Sequence, residues 1–92
     1  MEIMHKDDGS KGQFFIEQDG KILAKLTYVW DGNKIIIDHT VVDSSLSGKG
    51  IGKQLVRKAV ELARDKKIKI IPLCSFAKAV FDKVEDFQDV LN

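Results

Sequence analysis

An α/β fold bordering on α+β is predicted for this chain of 92 residues. It should be a mixed sheet in which an antiparallel meander is followed by a β–α–β unit and a C-terminal helix. Three observations carry this prediction. Two tight-turn signals, Gln18-Asp19-Gly20 and Asp31-Gly32-Asn33, divide the first half into alternating or β-branched runs. From Ile51 onward the apolar residues recur every 3.6 residues rather than every two. A short apolar run, Ile68, Ile70 and Ile71, then ends at Pro72.

The elements follow in order. Residues 13–17 (QFFIE) form the first strand of the meander. Residues 21–30 (KILAKLTYVW) form the second, with Ile22, Ala24, Leu26, Tyr28 and Trp30 on one face and Leu23, Thr27 and Val29 on the other. Residues 34–42 (KIIIDHTVV) form the third, where strict alternation groups His39 with Ile35, Ile37 and Val41, and Asp38 with Thr40. Residues 1–5 are expected to add a short edge strand. After Asp43, Ser44, Ser45 and Ser47 offer N-cap oxygens to a following helix. The period of Leu55, Val56, Ala59, Val60, Leu62 and Ala63 puts that helix at about residues 50–66, with Lys66 and Lys67 at its end, where cations suit the helix dipole. A strand at 68–71 should then lie parallel to 34–42, because a helix joins the two. A second helix is expected over residues 75–83 and a last helical turn within 85–92. With no repeat, linker or low-complexity tract, residues 1–92 read as a single domain.

Composition excludes several classes. Hydrophobic residues make up 43% and charged residues 32%, which suits a folded domain rather than a disordered chain. Fifteen Lys and Arg against fourteen Asp and Glu give a net charge of +1, so no bulk attraction to nucleic acid or acidic membrane is expected. One cysteine cannot close an intramolecular disulfide, and with two distant histidines it makes no metal site. No apolar run approaches a membrane span of roughly 20 residues, and the first residues lack a signal-peptide core. The expectation is a cytoplasmic protein, compatible with a monomer. So small a domain leaves little chain for an elaborate site, so any chemistry should lean on a cofactor.

The segment Ser47-Gly48-Lys49-Gly50-Ile51-Gly52-Lys53 lies between a strand and a helix. Its glycines allow close approach of a ligand to the backbone. The first helical amides lack partners within the helix and carry the positive end of its dipole, which favours an anion. Lys49, Lys53 and Arg57 could add charge. Binding of a phosphate or pyrophosphate is the physical reading, beside the plainer one of a glycine-rich connection with solvated lysines. The segment lacks the Gly-Lys-Ser/Thr ending of a P-loop. It also lacks the parallel strand and the following acid of the dinucleotide fingerprint.

The residues from Val41 to Gly52 resemble the acetyl-CoA-binding motif of the GCN5-related N-acetyltransferases, which is Arg or Gln, two residues, Gly, one residue, then Gly or Ala. Gly50 and Gly52 match its last two positions, and Ser47 stands where Arg or Gln is usual. The chain also resembles a subfamily of small members with a His-Thr pair, here His39-Thr40, and a Pro-Leu-Cys-x-Phe segment, here residues 72–76. This likeness covers roughly residues 13–87 and implies a truncated, minimal version of that fold. It implies acetyl-CoA or coenzyme A as the cofactor, held at its pyrophosphate by the amides around Gly48 to Lys53. The pantetheine arm would run between splayed strands and pair with Thr40, Val41 and Val42, which fits the affinity of a free strand edge for an extended amide chain. Family members use helices inserted between the first strands to shape the acceptor site, and the tight turn at Asp19-Gly20 leaves no room for them.

Three more residues bear on the chemistry. Cys74 precedes a helix, where a thiol ionises more readily. It could accept an acetyl group, or be the small buried hydrophobe that free cysteines usually are. His39 could act as general base, since histidine is the side chain titrating nearest neutrality, although a lone strand histidine is more often structural. The resemblance aligns Phe81 with the tyrosine that protonates the departing coenzyme A thiolate, and counts it among the cofactor contacts. Without that hydroxyl, either Cys74 chemistry takes over or the protein binds acetyl-CoA without rapid turnover. The expected activity is therefore transfer of acetyl to an unidentified amine, with a non-catalytic acetyl-CoA binder or sensor as the alternative. A nucleic-acid module using Lys49, Lys53, Arg57 and Arg64 is disfavoured, because no strand face interleaves aromatic and basic residues.

Overall fold

The computed structural model describes residues 2–92. Five strands form one sheet in sequential order: β1 (Met4–Asp7), β2 (Lys11–Gln18), β3 (Lys21–Asp31), β4 (Lys34–Val42) and β5 (Lys69–Pro72). The first four are antiparallel and β5 is parallel to β4, as the intervening helix requires. Helix α1 spans Ile51–Lys66 and α2 spans Ser75–Lys83, and 3-10 turns cover Ser44–Leu46 and Glu85–Val90. The edge strand starts later than expected, at Met4, and Met1 lies outside the described residues. Pro72 is the last residue of β5 rather than the residue after it.

Both helices and the second 3-10 turn pack on one face of the sheet. Leu55, Val56, Ala59, Val60 and Ala63 of α1 meet Leu26, Tyr28, Ile35 and Ile37 of the sheet, with Ala77, Phe81 and Phe87 closing the end. Each apolar residue fully removed from water contributes roughly 1.5–3 kcal/mol, so this one-sided cluster supplies most of the driving force. The opposite face carries no helix, and there Met4, Val29 and Val41 are exposed.

At the edge far from β5, β1 is held by a polar cluster. Tyr28, 1% exposed, occupies the space that a side chain on Gly12 would need. Its hydroxyl donates to Asp7 Oδ2 at 2.6 Å and accepts from His5 Nε2 at 2.7 Å. Trp30 Nε1 donates to the same Asp7 oxygen at 2.9 Å, and His5 stacks on Phe14 with ring centroids 4.2 Å apart.

The expected serine cap of α1 does not form. Asp43 caps the short 3-10 turn by accepting from the Ser45 amide at 2.9 Å. The N-cap of α1 is instead Gly50, which has no side chain to offer.

Candidate functional site

The ladder between β4 and β5 is short. It runs from Lys34 opposite Lys69 to Ile37 opposite Pro72. The amides of Leu73 and Cys74 then both donate to the Ile37 carbonyl at 3.0 Å, and the chain turns into α2. Residues 38–42 of β4 therefore have β3 on one side and no strand on the other. An open strand edge of this kind offers unpaired N–H and C=O groups to an extended, amide-bearing ligand.

A β-bulge decides which side chains line this opening. Thr27 pairs with His39, but Tyr28 pairs with Ile37, so Asp38 is an extra residue in β4. Thr27 Oγ1 donates to Asp38 Oδ1 at 2.5 Å across the irregularity. The grouping expected from strict alternation is thereby corrected. His39 and Val41 lie opposite Thr27 and Lys25 on the helix-free face, away from Ile35 and Ile37. Thr40 and Val42 lie opposite Leu26 and Ala24 on the helix-covered face, and Asp38 does not share it.

That reversal brings Thr40 to Cys74. The Cys74 Sγ–H donates to Thr40 Oγ1 at 3.6 Å, with both residues half-buried. Cys74 is the N-cap residue of α2, so its sulfur sits beside the first amides of that helix. Partial burial opposes ionisation of the thiol. The amides of Ala77 and Phe76 at the helix start, together with Thr40, outweigh it and hold the thiol below its ordinary value.

The glycine segment follows the end of β4 and borders a cavity with Val42 and Phe76. Gly48 (φ 80°) and Gly50 (φ 69°) adopt left-handed conformations, and a Cβ at either would meet nothing within 4 Å. Their backbone is thus open to a ligand. The amides of Ile51, Gly52 and Lys53 have no carbonyl one turn back to receive them, and no acidic residue occupies the first turn of α1. Val42, Asp43, Ser47, Gly48, Gly50 and Phe76 border a cavity of about 290 Å³ here. Lys49 and Lys53 are exposed beside it. Asp43 is the opposing charge, and its carboxylate faces Lys21 Nζ at 3.8 Å. Arg57 is turned away, its guanidinium 5.6 Å from the Phe87 ring centroid.

Gly52 serves packing. A Cβ there would run into the Phe76 ring, with Cε2 only 2.6 Å away. Phe76, the last residue of the Pro-Leu-Cys-x-Phe segment, is 42% exposed and walls the cavity. Phe81 is the reverse case. It is 1% exposed and edge-on to Phe87 at 6.3 Å, which leaves it no surface to offer a ligand. Val42 and the glycine segment border the cavity, Thr40 and Cys74 meet at the open edge of β4 next to it, and Val41 turns its side chain to the helix-free face. His39 is exposed on the helix-free face, and Phe81 is in the core.

These residues fit the phosphates and amide arm of acetyl-CoA: a helix start without a side-chain cap, a cradle of open glycines and a free strand edge. Comparisons with known proteins agree in fold. The solution structure of a GCN5-like candidate N-acetyltransferase from Staphylococcus aureus is 41% identical, with a TM-score of 0.75, over 99% of this chain and 87% of that one. A candidate acetyltransferase from Clostridium acetobutylicum, solved with acetyl-CoA, is 19% identical with a TM-score of 0.66, over 79% of this chain and 55% of that one. The Escherichia coli ribosomal-protein-S18-alanine N-acetyltransferase is 15% identical with a TM-score of 0.66, over 84% of this chain and 53% of that one. The chain thus spans about half the length of these last two proteins. No curated protein matches it. The model of the GCN5-related N-acetyltransferase family matches residues 13–90, and the chain belongs to that family.

Proposed function

We propose that the protein binds acetyl-CoA in the cleft between β4 and α2 and transfers its acetyl group to an amine by way of Cys74. The observation that carries this reading is the position of Cys74. Its thiol meets Thr40 at the open edge of β4 and the start of α2, two residues before Phe76, which walls the cavity at the glycine segment.

The amides of Gly48 to Lys53 would hold the pyrophosphate, with Lys49 and Lys53 adding charge, and Thr40 to Val42 would pair with the amide arm. The ligand supplies an activated acetyl thioester. The Cys74 thiol gives up its proton to solvent and its sulfur bonds to the acetyl carbon, while the coenzyme's sulfur would leave with the electron pair and take up a proton from solvent. The acceptor nitrogen then bonds to the same carbon, Cys74 departs as thiolate, and the nitrogen gives up a proton. His39, exposed on the helix-free face, is the proposed base for that proton. The acceptor would approach from that face, where no inserted helices stand in its way.

A second reading is a binder or sensor without turnover. Phe81 favours it, because phenylalanine carries no hydroxyl to protonate a leaving thiolate and this one is buried away from the strand edge. Two experiments test these readings. Titration with acetyl-CoA should shift the amide resonances of residues 40–54, and no shift there would remove the binding site. After incubation with acetyl-CoA, mass spectrometry should find an acetyl adduct that Cys74→Ser abolishes. No adduct and no release of coenzyme A would leave only the sensor.

A further inference from the structure

We infer that Thr40 is the positioning residue of the active cysteine: its hydroxyl fixes the Cys74 sulfur at the open edge of β4 and stabilises the thiolate. The catalytic purpose of this contact rests on the reading of Cys74 as acyl carrier, but the contact stands on its own geometry. Without the extra residue Asp38, alternation along β4 would turn Thr40 away from the helix-covered face. The bulge instead sets Thr40 opposite Leu26 and places its Oγ1 3.6 Å from Cys74 Sγ.

Thr40 is also suited to a change of role. In the thiol form Sγ–H donates and Oγ1 accepts. Once the sulfur is charged, rotation of the hydroxyl lets Oγ1–H donate to it. Among the described residues no other side chain bonds to the sulfur, and the remaining support comes from the backbone amides at the start of α2. The same thiolate attacks in the first transfer and leaves in the second, so Thr40 should assist both halves of the reaction.

Cys74 is the chain's only cysteine, so alkylation by iodoacetamide reports on it alone. The full chain is alkylated across a pH series. Thr40→Val keeps the β-branched shape and removes the hydroxyl. A hydrogen bond to a charged group is strong enough that its loss should move the alkylation midpoint up by about one pH unit and slow the reaction at pH 7 about tenfold. Thr40→Ser, which restores the hydroxyl, should return the profile to within about twofold of wild type. A Thr40→Val profile that overlays wild type overturns the assignment, and so does a Thr40→Ser profile displaced as far as that of Thr40→Val. Mass spectrometry after acetyl-CoA treatment separates the two ideas. If wild type takes no acetyl group while Thr40→Val still displaces alkylation, the acyl-carrier reading fails and the Thr40–Cys74 contact stands.

Discussion

Gly50→Ala separates a structural glycine from a ligand-holding one. Gly50 sits at φ 69° and ψ 23°, and an added Cβ would meet nothing within 4 Å. The cost to the free protein is therefore backbone strain alone, about 1–2 kcal/mol for an L-residue in the left-handed region. In a domain of this size each kcal/mol lowers the melting temperature by roughly 4–8 °C. In the complex the same methyl would project where the proposed pyrophosphate meets the loop backbone, so acetyl-CoA affinity should fall at least about tenfold, or 1.4 kcal/mol. Gly20→Ala is the control. Gly20 has φ 78°, is equally unobstructed, and lies in the hairpin between β2 and β3. It should lower the melting temperature by a similar amount and leave affinity unchanged. Thermal melts and acetyl-CoA titrations of both variants are the assay. Equal destabilisation with wild-type affinity in Gly50→Ala would refute the cradle.

The polar cluster on β1 yields two further predictions. Tyr28→Phe removes one hydrogen bond to the Asp7 carboxylate and one from His5, and should cost about 1–3 kcal/mol by urea denaturation, with amide exchange fastest in β1. Asp7 supplies a pH dependence. Burial opposes its charge, but Tyr28, the Gly9 amide, Trp30 and nearby His5 outweigh that and lower its pKa. A carboxylate depressed in the fold contributes stability above its unfolded value near 4, and that contribution is lost as pH falls through the folded value. The melting temperature should thus drop below about pH 4, and Asp7→Asn should show a smaller drop from a lower starting point.

Much of the architecture is written locally in the chain. Alternating apolar residues and two turn signals place β2, β3 and β4, and the 3.6-residue period places α1 to within a residue of its observed start. Ser75–Lys83 follows in the same way, and so does the parallel pairing of β5, since a helix must cross over to reach it. The glycine segment and the lone cysteine are visible as candidates because glycine spacing and a helix start are both local features. His5 and Asp7 carry no such signal. Their partner Tyr28 is 23 and 21 residues away, and only strand pairing brings them together.

The order of elements and the candidate groups, the glycine segment and Cys74, follow from the sequence by itself, because each depends on neighbours within a few residues. The facing of those groups was decided only in the tertiary structure. A single extra residue at Asp38 reverses the alternation of β4, sending His39 outward and Thr40 to Cys74. Helix packing sets Phe76 on Gly52 at the cleft wall and withdraws Phe81 into the core. A bulge is a property of two paired strands, and a packed ring is a property of two helices. Neither has a signature in one strand or one helix read alone.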